Sequence, residues 1–72
     1  MHLGTYKHYK GNLYEVIGLA LHTETREKMV IYKALYKITD FRDLDEELGT
    51  DPYFVRPQKM FLENFTYVDN DK

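Results

Sequence analysis

The chain has 72 residues, no cysteine and a formal net charge of −2 at pH 7. A chain of this length forms at most one domain, here residues 1–72, and buries only about 60% of the surface that its unfolded form exposes. Without cysteine there is no disulfide framework and no thiolate zinc site, so packing or a partner subunit must supply the stability. The N-terminus lacks the apolar core of a signal peptide and no run is long enough to span a membrane, so we expect a cytoplasmic protein with no membrane partner.

The negative charge is concentrated in one segment. Residues Asp40 to Asp51 include six acids and one arginine, a net of −5, so the rest of the chain carries +3. This balance is far from the strongly basic surface of a typical duplex-binding protein. A mildly basic body beside one acidic segment can still steer charged ligands through its electric field.

The sequence has the composition of a sheet. The chain's seven tyrosines and four phenylalanines alternate with valine and isoleucine in short runs, which predicts a mainly β fold. We predict strands over 5–9, 13–21 and 29–36, with a turn at 10–12. Gly18 lies inside the second strand, where glycine usually marks a bulge at which the side-chain parity can flip. Both faces of the third strand are rather apolar, so we expect one in the core and the other partly covered.

The stretch HTET, His22 to Thr25, lies between the second and third strands. It places an imidazole, two hydroxyls and a carboxylate in four consecutive residues. Because two extended runs flank it, the longer stretch HTETREK is predicted to connect the two strands as a β-hairpin.

The acidic segment, at about 39–50, is predicted to contain a short inserted helix. Phe41, Leu44 and Leu48 fall at helical spacing, and Gly49 can end the helix in the left-handed conformation. A helix this short does not persist alone. Its apolar stripe is therefore either a lid on the sheet or a homodimer contact.

The C-terminal part is predicted to form one helical turn and a last strand. Pro57 can open the turn PQKMF at the first helical position, where its missing N–H costs nothing. Phe65 and Tyr67 then indicate the last strand, and the tail 69–72 is expected to be frayed.

Four blocks spread over nearly the whole chain carry a family pattern, namely GTYKHYKGNLYEV from Gly4 to Val16, His22 to Thr25, Val30 to Tyr36, and Val55 to Glu63. Together they resemble a mainly bacterial family, domain of unknown function 1653. The resemblance implies a small SH3-like β-barrel or roll and no assigned activity. Phe54 stands here where the family usually has a tryptophan.

We expect the domain to act by binding rather than by catalysis. A tyrosine ring can stack on a ligand while a neighbouring Lys or Arg engages a phosphate or carboxylate. The predicted ligand is single-stranded nucleic acid, a peptide or a small anion, with no cofactor and no bound metal. The residues expected to line the binding face are His8, Tyr9, Lys10, His22, Glu24, Thr25, Tyr32, Tyr36 and Arg56.

A second hypothesis is a small enzyme or metal-dependent accessory protein that uses His8, His22 and Glu24. Residues two apart in an extended segment share a face, so His22 and Glu24 can point the same way, and His8 could join them from a neighbouring strand. Such a set could supply a general base with an orienting carboxylate, or an open metal site. The hypothesis requires the three side chains to converge on one cleft.

Arg56 is the most specific single feature of the second half. It precedes Pro57 at a predicted helix start, where positive charge is unfavourable. Either Glu15, Glu24 or Glu63 pairs with it, or it forms a small anion site with the amides of the following turn.

Overall fold

The computed structural model describes residues 1–38, 46–49 and 51–68 of the chain. The elements in these ranges are β1 (Gly4–His8), β2 (Leu13–Leu21), β3 (Lys28–Ala34), a 3₁₀ turn (Glu46–Leu48), β4 (Phe54–Pro57), α1 (Gln58–Asn64) and β5 (Phe65–Tyr67). The five strands form one antiparallel sheet in the order β4-β3-β2-β1-β5, which confirms the mainly β prediction. No helix in these ranges is long and apolar enough to cross a membrane.

The sheet is not closed, so the prediction of an SH3-like barrel is wrong in this respect. β4 and β5 are the two edges of the sheet, and no pairing joins them within the described residues. The reason lies in the chain between them, because β4 runs directly into α1 and α1 runs directly into β5. The helix packs against β3, β4 and β5, and it covers the core in place of a closing strand pair.

The bulge predicted at Gly18 is confirmed. The pairing of β2 with β3 shifts register between Val16 and Gly18. Beyond the shift, Ala20 is opposite Met29. Met29 is next to the buried Val30 in β3, so its side chain lies on the opposite face of the sheet. Ala20 therefore lies on the other face from Val16, although regular alternation would put both on the same face.

Aromatic rings fill the core of this tryptophan-free chain. Phe61 of α1 stacks on Phe65 with 4.1 Å between ring centroids and 3° between planes. Tyr32 meets both rings edge to face, at 5.0 and 5.5 Å. The buried cluster consists of Tyr6, Val16, Val30, Tyr32, Phe61 and Phe65. The inner face of the helix and one face of the sheet thus share a single core.

The helical turn and the last strand are confirmed, and the helix is longer than predicted. Pro57 precedes the helix as its N-cap, with φ −55° and ψ 138°, and α1 continues to Asn64. The extra turn is consistent with the burial of Phe61, since tertiary packing rather than intrinsic propensity stabilises so short a helix.

Most of the predicted acidic helix lies outside the described residues. This applies to 39–45 and 50, and therefore to Phe41 and Leu44 of the proposed stripe. The described part is one 3₁₀ turn, Glu46–Leu48, followed by Gly49 with φ +72°, the left-handed conformation predicted for it. The frayed tail predicted at 69–72 also lies outside the described residues.

Replacing the central ring of α1 is expected to remove much of the stability. Phe61 is 0% exposed, and a Phe→Ala change in a core costs about 3 to 5 kcal/mol. A domain of this length has a free energy of unfolding of about 4 to 11 kcal/mol. We therefore expect Phe61→Ala to shift the urea midpoint strongly or to unfold the domain. Leu62→Ala is the matched control, because its side chain is 50% exposed on the same helix. Equal shifts for the two variants would contradict this account of the core.

Candidate functional site

All five strands contribute a side chain to one cleft of about 180 Å³ on the core face of the sheet. The cleft is lined by His8 of β1, Tyr14 of β2, Tyr32 of β3, Tyr36 just after β3, Phe54 and Arg56 of β4, and Phe65 of β5. We refer to these residues as the aromatic cleft.

The strand registers place these side chains on one face. Residues directly opposite each other in an antiparallel pair share a face, and Phe54 is opposite Tyr32 while Phe65 is opposite His8. The sheet is also strongly curved. The guanidinium carbon of Arg56 on β4 lies 5.6 Å from the ring centroid of Phe65 on β5, whereas the edges of a flat five-stranded sheet are about 19 Å apart. Curvature therefore brings the two edge strands to the same site.

Tyr14 and Tyr36 form a hydrogen-bonded pair in the cleft. Their hydroxyl oxygens are 2.6 Å apart, and their rings meet edge to face at 5.4 Å. Burial, together with the hydrogen bond to Tyr36, raises the pKa of Tyr14 above its ordinary value of 10.0, although the nearby Arg56 acts in the opposite direction. Because one hydroxyl donates to the other, the pair keeps one O–H that can donate to a ligand.

Arg56 is the permanent positive charge of the cleft. It is half-buried, and its guanidinium lies over the ring of Phe65. The described lining contains no carboxylate. Of the acids proposed as partners, Glu15 is opposite Lys33, a residue that alternates with the core positions of β3 and so lies on the other face of the sheet. Glu24 lies in the β2–β3 connection, away from the cleft.

His8 lines the cleft beside Arg56 and Phe65. Its ring meets Phe65 edge to face at 4.7 Å, and its Nδ1 accepts a hydrogen bond from the Lys10 N–H at 3.1 Å. Burial lowers the pKa of His8 below its ordinary value of 6.5, and the positive charges of Arg56 and Lys10 lower it further. At neutral pH the ring is therefore neutral, with its proton on Nε2, since Nδ1 is an acceptor.

The HTET stretch forms the β2–β3 hairpin, as predicted, and does not reach the cleft. The Nδ1 atom of His22 accepts hydrogen bonds from the N–H groups of Glu24 and Thr25, each at 3.2 Å. The His22 N–H donates to the carbonyl of Glu27 at 2.9 Å. Arg26 closes the turn with φ +64°. The imidazole therefore stabilises its own turn, which is a structural role.

The hypothesis that His8, His22 and Glu24 converge is wrong. His8 lies beside the beginning of β2, where Lys7 is opposite Leu13, while His22 follows the end of the same strand. Nine residues of strand separate these ends, a distance of about 30 Å. Across the described residues, no group of three histidine or acidic side chains is placed to hold a metal ion.

The residues predicted for the binding face therefore fall into three groups. The cleft itself contains His8, Tyr32, Tyr36 and Arg56. Tyr9 and Lys10 follow His8 beside the cleft: the Tyr9 ring lies 4.4 Å from that of His8, and the Lys10 Nζ lies 5.9 Å from the Tyr9 centroid. The remaining three, His22, Glu24 and Thr25, belong to the distant hairpin.

Three lining residues were not predicted, namely Tyr14, Phe54 and Phe65. A signal for one of them was present, because Phe54 is two residues before Arg56 in an extended segment and so shares its face. Tyr14 and Phe65 lacked such a signal, since core tyrosines and phenylalanines have the same sequence pattern as those that line a cleft.

The pKa of His8 reports the proximity of Arg56. We expect Arg56→Ala to raise this pKa towards its ordinary value, because the change removes a positive charge and admits water. Arg56→Lys keeps the charge and is expected to leave the pKa lowered. An NMR titration of the His8 ring protons in the three proteins measures the effect. The account fails if His8 titrates identically in the wild type and in Arg56→Ala.

Comparison with known proteins places the chain in a family. A model of the family described as protein of unknown function (DUF1653) matches residues 4–72. No curated protein and no solved structure matched the chain. The match covers nearly every residue of the sequence, including all the strands of the sheet and every residue of the aromatic cleft. The chain therefore belongs to the DUF1653 family.

Proposed function

We propose that this domain is a non-catalytic binding module and that the aromatic cleft takes the anionic group of a small ligand. The observation that carries the proposal is Arg56, a half-buried guanidinium in a cleft whose described lining contains no carboxylate. A partly desolvated cation without an acidic neighbour attracts an anion more strongly than an exposed one does. The ligand would then supply the negative charge that the lining lacks.

Three kinds of hydrogen-bond donor line the cleft. Arg56 has five N–H groups in the plane of its guanidinium, and packing over a ring occupies only the face of that plane. His8 contributes Nε2–H in its neutral form, and the Tyr14–Tyr36 pair contributes one O–H. Donors from several strands around one small space are suited to the oxygens of a carboxylate, phosphate or sulfate.

The charge distribution favours a small anion over single-stranded nucleic acid. The segment that joins Tyr36 to Phe54, both cleft residues, carries the net charge of −5 between Asp40 and Asp51. A polymer carries many phosphates, and affinity for such a ligand depends on how many of them the protein neutralises, which a chain of net charge −2 does poorly. A single anionic group needs only the contact with Arg56. The volume of about 180 Å³ also lies below the range of about 300 to 1,000 Å³ common for larger organic ligands.

Binding is preferred over catalysis because of the side chains that surround His8. It is the one imidazole of the cleft, and the described lining provides neither a carboxylate to orient it nor a hydroxyl other than phenols. General-base catalysis on a nucleophile needs such a set.

Sulfate is a suitable probe for the anion site. We expect sulfate, added at constant ionic strength, to shift the amide NMR signals of β1, β4 and β5 around the cleft. Arg56→Gln is expected to weaken binding by about tenfold or more, the effect of losing a charge-assisted hydrogen bond. Lys7→Gln is the matched control. It removes the same charge from the residue next to His8 in β1, whose side chain lies on the opposite face of the sheet. Equal weakening by the two variants, or no saturable shifts, would overturn the proposal.

Sulfate affinity is expected to increase as the pH falls. The groups around His8 are Arg56 from β4, Lys10 and Tyr9 from the following turn, and Tyr14 from β2. A bound anion favours the protonated imidazole, so binding raises the pKa of His8 and takes up a proton. By linkage, the affinity rises as the pH falls through the pKa of His8 in the complex, and it levels off below the lowered pKa of His8 in the free protein. Titrations between about pH 5 and 8, the range in which histidine changes its charge, measure this slope. A His8→Gln control should lose it.

A further inference from the structure

The cleft also has the features of a site for a flat ring. We propose that its ligand is a small aromatic anion, in which a planar ring carries a carboxylate or phosphate directly or through a short link. This inference rests on the proposed anion site and specifies the rest of the ligand. The ring would contact the aromatic walls, and the anionic group would lie at Arg56.

The walls are composed of rings that already meet one another edge to face. Tyr14 contacts Tyr32 at 5.7 Å and Phe65 at 5.2 Å, and Tyr32 contacts Phe65 at 5.5 Å. Because neighbouring rings in such an arrangement are turned relative to one another, the cleft is lined by both electron-rich faces and electropositive edges. An aromatic ligand can satisfy both, and each favourable ring pair adds affinity beyond the area that it buries. A saturated ring of similar size gains only the free energy of burying its apolar area.

The anion and ring positions are adjacent. The guanidinium carbon of Arg56 lies 5.6 Å from the centroid of Phe65, a wall residue. Phe54 is part-buried and lies two residues before Arg56 on the same face of β4. A ligand ring that contacts Phe54 therefore has its substituent within reach of the guanidinium only if the link between them is short.

The size of the cleft excludes large ligands from its interior. A volume of about 180 Å³ corresponds to about six water molecules at roughly 30 Å³ each. One ring and one anionic group fill such a space. Tyr36 is 41% exposed and forms an open side, so a further substituent on the ligand ring can extend into solvent. Aryl carboxylates and aryl phosphates have this chemistry.

A matched series of small compounds tests the inference by NMR titration. Benzoate is compared with cyclohexanecarboxylate, which has the same charge but no aromatic ring, with benzyl alcohol, which has the ring but no charge, and with acetate. We expect benzoate to bind about two- to tenfold more tightly than cyclohexanecarboxylate, because of its aromatic ring. We expect it to bind at least about tenfold more tightly than benzyl alcohol, because of its charge.

Variants separate the ring from the anion. Tyr36→Leu removes a wall ring at the open side and is expected to reduce the preference for benzoate over cyclohexanecarboxylate. Tyr53→Leu is the control, because Tyr53 is 66% exposed and lies outside the lining. Heteronuclear spectra first establish that both variants are folded.

The outcomes distinguish the two proposals. If acetate and cyclohexanecarboxylate bind as tightly as benzoate and all depend on Arg56, the anion site stands and the aromatic inference is overturned. If none of the anions binds, both proposals fail. Binding of a single-stranded oligonucleotide without binding of any small compound would also overturn the aromatic inference.

Discussion

The packing of Phe65 connects the core of this domain to its cleft. The ring stacks on Phe61 of α1 and meets Tyr32 edge to face, and both of these rings are buried. On its other sides it contacts the imidazole of His8 and the guanidinium of Arg56. One side chain of a three-residue edge strand therefore contacts residues of α1, β1, β3 and β4. Phe65 therefore connects the edge strand β5 to the edge strand β4 through Arg56.

This arrangement explains how an open sheet can form a concave site. A closed barrel obtains its curvature from strand pairing around the whole circumference. Here the edges are joined through the short helix between β4 and β5, whose Phe61 lies between the sheet and the helix backbone. The helix covers only part of the core face. The aromatic cleft lies on the same face of the sheet as the helix.

The sequence predicted local structure well and spatial proximity less well. Strand β2 has the bounds expected from its pattern, and Gly18 revealed the bulge because a glycine inside a strand seldom occurs where the pairing is regular. Barrel closure was not predictable from these signals, since it depends on whether β4 and β5 pair, and strand patterns do not specify partners. Of the predicted face, the structure brings His8, Tyr32, Tyr36 and Arg56 together in the cleft. His22 was misplaced because side-chain alternation defines a face and not a position along a strand about 30 Å long.

The electrostatics of the cleft account for a positive site in a chain of net charge −2. At physiological ionic strength, charges separated by more than about 8 Å are largely screened by salt, so distant acids act weakly on a contact inside the cleft. At contact distance the half-buried guanidinium of Arg56 dominates, since its aromatic neighbours exclude part of the water. Burial, together with the charges of Arg56 and Lys10, lowers the pKa of His8, which limits the repulsion between His8 and Arg56. An anion placed between them would remove that repulsion and allow both groups to be positively charged. A negative charge between Arg56 and His8 would favour the protonated imidazole, which is the condition that the proposed anion site places on its ligand.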